Sequence, residues 1–229
     1  MTTLGPENKI VVPNGLVLWV DVDEVLLNFL RRFNQELVGR GYDIPLDYVP
    51  SYYDYDEILG PGKFLSVFTA MTSDWLRELS PFPGADEFTR RLKELGCRVI
   101  LITSVTGVQL PLRLENLRRA EIYFDEIYAT RGLAKSTFVR ELIPRYVDSR
   151  GRPTKHIIVD DTLSNVLEFL SGVPRSVRGV TMSVPYNLPG LRTHSPKQLA
   201  KVNYKATNQK ELFDQTLRVV TRLLGRRIK

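Results

Sequence analysis

The chain has one cysteine, Cys97, and two histidines, His156 and His194, among its 229 residues. A single thiol excludes an internal disulfide and fits a reducing compartment. So little sulfur and imidazole also excludes an ordinary zinc centre. Any metal would be held by oxygens, which favours magnesium. No apolar run approaches the ~18 residues of a membrane span. The first nine residues are polar, with Gly5 and Pro6, and lack the apolar core of a signal peptide. A cytoplasmic protein with no membrane partner is therefore expected. Internal repeats and low-complexity segments are absent as well.

What is present is ordinary globular composition, 43% apolar and 25% charged. The length allows one α/β domain with an insert, or two small domains. Lysine and arginine outnumber the acids 32 to 26, for a net charge of +6. That balance suits anionic partners such as phosphorylated metabolites or nucleic acid, and equally suits a surface kept soluble by cations.

The chain is organised around Leu16-Val17-Leu18-Trp19-Val20-Asp21-Val22-Asp23. The apolar run reads as a buried strand over 16–21. Unpaired carboxylates are too costly inside such a strand, so Asp21 and Asp23 mark where it leaves the core. In a parallel α/β sheet, that carboxyl edge is where ligands bind. Ile10 to Val12 adds a short strand before it. Three more apolar strands are expected at 98–102, ending in Thr103-Ser104, at 126–130, and at 156–159, ending in Asp160-Asp161. A fifth follows at 179–184. Helical spacing is read over 26–38, 85–95, 112–120, 136–146 (interrupted by Pro144), 163–170 and 212–224. Strands alternating with helices predict an α/β, Rossmann-like three-layer fold on a parallel sheet of about five strands. Residues 42–80 break the pattern with eight Tyr, Phe and Trp among prolines and aspartates. They read as a compact insert of short helices placed to cover the carboxyl edge.

Parallel strands put Asp21/Asp23, Thr103/Ser104 and Asp160/Asp161 on one edge of the sheet. Four carboxylates there repel one another unless a cation sits among them, and Mg²⁺ meets that need. A strand-end aspartate can attack phosphorus. One two residues on can protonate the leaving oxygen and then activate water. The Thr103 hydroxyl can bond a phosphoryl oxygen, and a lysine is wanted to offset the accumulated charge. Lys155 lies at the amino end of its strand, roughly 15 Å away at ~3.3 Å per residue. Lys135 begins the helix leading down to that strand, near the carboxyl edge, and is the better choice. Read singly, Asp21 and Asp23 could cap a helix, Thr103 could belong to a turn, and Lys135 could be solvated. Their ordered combination favours chemistry.

Asp21-Val22-Asp23-Glu24-Val25, the strand ending at Thr103, Lys135, and Asp160-Asp161 resemble the four motifs of the haloacid-dehalogenase-like (HAD) phosphatases. They occur in order across about 140 residues. Phe29, Pro81-Phe82-Pro83-Gly84, Thr103-Ser104, Thr130-Arg131 and Pro185-Tyr186-Asn187 narrow the resemblance to the 5′(3′)-deoxyribonucleotidase branch. The resemblance implies a catalytic core of 1–25 and 81–229 with a small helical cap at 26–80. It makes Asp21 the nucleophile that forms an aspartyl-phosphate. Asp23 becomes the general acid/base, with its backbone carbonyl on Mg²⁺. Asp160 and Asp161 become metal ligand and supporting partner, in an order left open. Ser104, Phe29 and Arg131 are expected to contact substrate.

Glu24 departs from the pattern, which commonly has glycine there, and the cap sequence matches poorly. The implied function is Mg²⁺-dependent hydrolysis of nucleoside monophosphates. The expected partner is a small phosphorylated molecule, and a homodimer is left open. The alternatives are a phosphatase of polynucleotide 3′ ends, in which nucleic acid would be the partner, and a non-catalytic nucleotide-binding module.

Overall fold

The computed structural model describes residues 9–50, 55–70, 73–130, 133–171, 177–182, 187, 199–200 and 202–225. Eight strands occur among them. They are β1 (Ile10–Val11), β2 (Leu16–Asp21), β3 (Arg98–Thr103), β4 (Glu126–Ala129), β5 (Tyr146–Val147), β6 (Lys155–Val159), β7 (Val177–Met182) and β8 (Val202–Ala206). Six form one parallel sheet in the order β4-β3-β2-β6-β7-β8. Strand β2 is thus near the middle, flanked by β3, which ends in Thr103, and β6, which Asp160 follows.

The period of two explains why β2 is apolar throughout. Leu16, Leu18 and Val20 join a core on one face of the sheet. Val17 and Trp19 join another core on the opposite face. Both faces are covered, as parallel strands require. The helices are α1 (Phe29–Gly39), α2 (Asp56–Leu59), α3 (Phe64–Ala70), α4 (Ala85–Glu94), α5 (Leu110–Arg119), α6 (Lys135–Leu142), α7 (Leu163–Leu170) and α8 (Gln209–Leu223). No helix among the described residues is long and apolar enough to cross a membrane.

On the second face, Trp19 Nε1 donates to His156 Nδ1 at 3.0 Å. That leaves His156 Nε2 as the protonated nitrogen, 2.8 Å from Thr154 Oγ1. Thr154 in turn donates to the Tyr146 carbonyl. This buried chain ties β2 to β6 and β5, and burial pushes the imidazole down to about 4. Further along the sheet, Gly179 lets α7 approach β7: a Cβ there would stand 2.2 Å from Val166 Cγ1.

Several sequence expectations are corrected. Among the described residues the sheet has six strands, one more than the five read individually from the sequence, because β8 adds an edge strand. Its Val-Asn-Tyr-Lys-Ala sequence alternates, but is too short and polar to stand out. Strand β1 pairs with β5 in a separate two-stranded sheet. Helix α1 begins at Phe29, not at residue 26, because residues 22–27 are folded into a turn. There the amides of Leu26 and Leu27 both bond the Val22 carbonyl. Leu27 then bridges to Pro81, and Asn28 caps the helix through the Arg31 amide. Helix α6 stops at Leu142, and Pro144 lies in the 3-10 turn that follows.

Between β2 and α4 the insert holds α1, α2, α3 and a 3-10 turn, Ser73–Glu78. Its aromatics pack on one another. Phe33 meets Tyr55 and Phe64 with ring centroids 5.0 and 5.3 Å apart. Phe29 meets Trp75 at 5.3 Å and Phe68 at 5.9 Å. Phe33, Tyr55 and Trp75 are buried, so they are core. Tyr52 and Tyr53 lie outside the described residues.

Candidate active site

Strand register brings the expected groups together. Val20 pairs with Val159 on one side, and Asp21 with Ile102 on the other. Asp21, Asp160 and Thr103 therefore emerge at the same edge. Asp21, Asp160 and Asp161 are all buried, and one carboxylate oxygen from each lies within 4.8 Å of the others. The Lys135 ammonium enters this group, 2.5 Å from Asp21 Oδ2 and 3.0 Å from Asp160 Oδ2.

The carboxylates of Asp21 and Asp160 and the backbone of Asp161 are held by hydrogen bonds. Asp21 Oδ1 accepts from the Val22 amide at 2.7 Å. Asp160 Oδ1 accepts from the Thr162 amide and from Asn165 Nδ2, both at 3.0 Å. The Asp161 carbonyl accepts from Thr181 Oγ1 at 3.1 Å and from Asn187 Nδ2. Asn187 also accepts the first amide of α7, that of Leu163. The side chain of Asn187 thus locks the loop after β6 in place.

The charge balance is strained. Burial pushes Asp21 well above the usual carboxylate range. Lys135 opposes that shift, while Asp160, Asp161 and Asp23 add to it. Burial would pull Lys135 down, but Asp160 and Asp21 hold its ammonium above the ordinary lysine range. Lys135 pairs with two of the three buried carboxylates, and the donor atoms that converge are all oxygen. This donor set fits a hard divalent cation such as Mg²⁺.

Asp23 is not among the carboxylates that meet. Its side chain is partly exposed and turns to Arg113, whose Nη2 lies 2.7 Å from Asp23 Oδ1. Thr103 is fully buried, and its hydroxyl has no hydrogen-bond partner among the described residues. Ser104 is exposed and lines the cleft. Arg131 lies outside the described residues.

These groups open onto a cleft of about 490 Å³. Asp21, Asp23, Lys135, Asp161, Thr162 and Asn165 form its polar side. Phe29, Phe64, Phe68 and Leu76 of the insert, with Val105, form the apolar side. The insert therefore overhangs the strand ends.

No family model and no curated protein sequence matches this chain. Solved structures do. One is a HAD family hydrolase from Deinococcus radiodurans with bound phosphate and sodium. It aligns over 95% of this chain and 100% of its own, with TM-score 0.59 and 18% identity. Another is a haloacid dehalogenase-like hydrolase from Burkholderia xenovorans, aligned over 88% of this chain and 99% of its own, with TM-score 0.50 and 16% identity. The fold is that of the haloacid-dehalogenase-like hydrolases.

Within this HAD-like fold, Glu24 becomes intelligible. Its φ is +56°, a left-handed conformation in which glycine is the unstrained residue. The side chain nonetheless turns inward and is buried, with Oε1 accepting from the Leu30 amide at 2.7 Å. Burial pushes its carboxyl up to about 8; the Leu30 amide opposes this, and Asp161 and Asp23 reinforce it. Burial thus favours the neutral form of Glu24, whose side chain serves as an acceptor at the start of α1.

The site also holds residues that sequence reasoning did not single out: Arg113, Asn165 and Thr162. Thr162 and Asn165 follow Asp160-Asp161 closely and could have been found by extending the motif. Arg113 carries no local signal, because its partner lies 90 residues away in the chain.

Proposed function

We propose that the protein is a Mg²⁺-dependent phosphomonoesterase that acts on nucleoside monophosphates through an aspartyl-phosphate intermediate. The observation that carries this reading is the placement of the Lys135 ammonium between Asp21 and Asp160, at the floor of a cleft whose opposite wall is aromatic.

In the first step an Asp21 carboxylate oxygen attacks phosphorus. The bond from phosphorus to the leaving oxygen breaks, and Asp23 supplies the proton that oxygen needs. The free Thr103 hydroxyl and Lys135 are placed to take the phosphoryl oxygens. In the second step water attacks phosphorus and gives its proton to the Asp23 carboxylate. The bond to Asp21 breaks with its electron pair returning to the carboxylate, and orthophosphate leaves. Asp21, Asp160, Asp161 and the Asp23 carbonyl would hold Mg²⁺. When bound, it supplies positive charge that offsets nucleophile and phosphate together. Phe29, Phe64 and Phe68 offer a face for a nucleobase, with offset or edge-on ring contacts.

A polynucleotide is a poorer fit. The cationic side chains lining the cleft among the described residues are Lys135 and Arg113, and both are paired with carboxylates. A backbone of several phosphates needs free cations along its track.

The test is phosphate release from a panel of ribo- and deoxyribonucleoside monophosphates with MgCl₂. Release from at least one nucleotide, lost in Asp21→Asn, is expected. A folded protein that releases phosphate from none of them contradicts the nucleotide reading.

A further inference from the structure

Arg113 stands in the middle of α5 with none of its side chain exposed. A guanidinium carries five N–H donors, yet none of its three nitrogens makes a well-aligned hydrogen bond among the described residues. Its ionic contact is Asp23 Oδ1 at 2.7 Å. A buried ion pair with so few supporting bonds stabilises a fold poorly, and an apolar residue of similar volume does as well or better. Helix formation alone does not require an arginine there. Packing and propensity therefore leave this residue unexplained.

Its surroundings suggest a use. Helix α5 is anchored to the insert, since Asn116 Nδ2 donates to the Leu79 carbonyl at 2.8 Å. Arg77 and Glu115 pair at 3.3 Å. The guanidinium is thus carried on a braced helix, whereas Asp23 lies on the turn after β2 with its side chain 28% exposed toward the cleft. Arg113 lies in the wall of the cleft behind Asp23, with its side chain buried, and its ionic contact there is Asp23.

We propose that Arg113 is a positioning residue that fixes the direction in which the Asp23 side chain enters the cleft, and that its main effect falls on hydrolysis of the aspartyl-phosphate. The proposal rests on the roles assigned above to Asp21 and Asp23. In that half-reaction the water oxygen bonds to phosphorus and the water proton passes to the Asp23 carboxylate. The phosphorus–Asp21 bond breaks with its electron pair on Asp21. A carboxylate held in one direction by a fixed cation is ready for that proton.

The test uses p-nitrophenyl phosphate, whose leaving group departs without a proton. Its kcat/KM then reports formation of the phosphoenzyme, while kcat includes its breakdown. In Arg113→Met, kcat should fall by roughly 10- to 100-fold, less than the ~10²–10⁴-fold of losing the general base itself, while kcat/KM stays within about twofold. Acid-quenched enzyme should carry phosphate at steady state, as Asp23→Asn should. Arg113→Lys should recover part of kcat. In the Asp23→Asn background, Arg113→Met should add no further loss.

An equal fall in kcat and kcat/KM without phosphoenzyme overturns the proposal, as does a full additive loss in the double variant. If Arg113→Met fails to fold, Arg113→Lys carries the same readout: a fall in kcat alone supports the proposal, and a matched fall in both overturns it. Accumulation in Asp23→Asn but not in the Arg113 variants sinks the role of Arg113 alone. No accumulation in Asp23→Asn sinks the assignment of Asp23 with it.

Discussion

Lys135 Nζ lies 2.5 Å from Asp21 Oδ2, inside a pocket where three carboxylates converge. The ammonium is the one lysine charge at this cluster among the described residues. Removing it leaves buried carboxylates uncompensated. Lys135→Met should therefore cost roughly 3–5 kcal/mol of stability in metal-free protein, the usual penalty for breaking a buried pair. Added MgCl₂ should recover part of that loss. Activity should drop about 10²–10³-fold, as when one stabiliser of a developing oxyanion is removed. Thermal melts with and without MgCl₂, beside kcat, check both.

Asp21 behaves in the opposite sense. Burial raises its pKa, so its ionised form is a liability in the metal-free fold, and stability falls as pH rises through the folded value. Asp21→Asn should melt at or above the wild-type temperature without metal. Wild type should gain with MgCl₂ and the variant should gain far less, because binding to the native state stabilises by mass action. A metal-free variant that melts well below wild type contradicts this.

Glu24 predicts a slope with pH. Its carboxyl sits near 8 in the fold against an ordinary 4.5. The raised value means its stabilising contribution is complete below pH 4.5 and is lost progressively as pH rises towards 8. Glu24→Gln keeps the acceptor for the Leu30 amide and does not ionise. In metal-free protein its stability relative to wild type should rise across that window, by on the order of 4 kcal/mol, then level off. Urea midpoints from pH 5 to 9 measure it.

His156 has the mirror-image dependence. Its pKa is depressed from 6.5 to about 4 by burial. The unfolded chain therefore takes up the proton first, and stability is lost as pH falls from 6.5 towards 4. The loss should reach about 3 kcal/mol. His156→Gln lacks this component, so any advantage of wild type should be larger at pH 7.5 than at pH 5.

How far these features were legible depended on whether their cause was local. The apolar run of β2 and its two bounding aspartates were readable because burial on both faces leaves a continuous signature. Lys135 was readable from strand direction alone. The turn at 22–27 was not, because its apolar residues satisfy helical spacing while their amides close on Val22. Strand β8 was missed because an edge strand needs few apolar residues. Arg113 was invisible because a buried arginine in a helix reads as a solvated one. Glu24 was legible as a departure from glycine, and its cause emerged only with its positive φ.

The central claim is that Asp21 carries the phosphoryl group. Acid-quenched turnover mixtures can be reduced with borohydride, which converts an acyl phosphate to the alcohol, and then mapped by mass spectrometry. The account predicts reduction at Asp21 and at no other carboxylate, dependent on substrate. Phosphate release with no reduced residue, or reduction at Asp160 or Asp161, would contradict it.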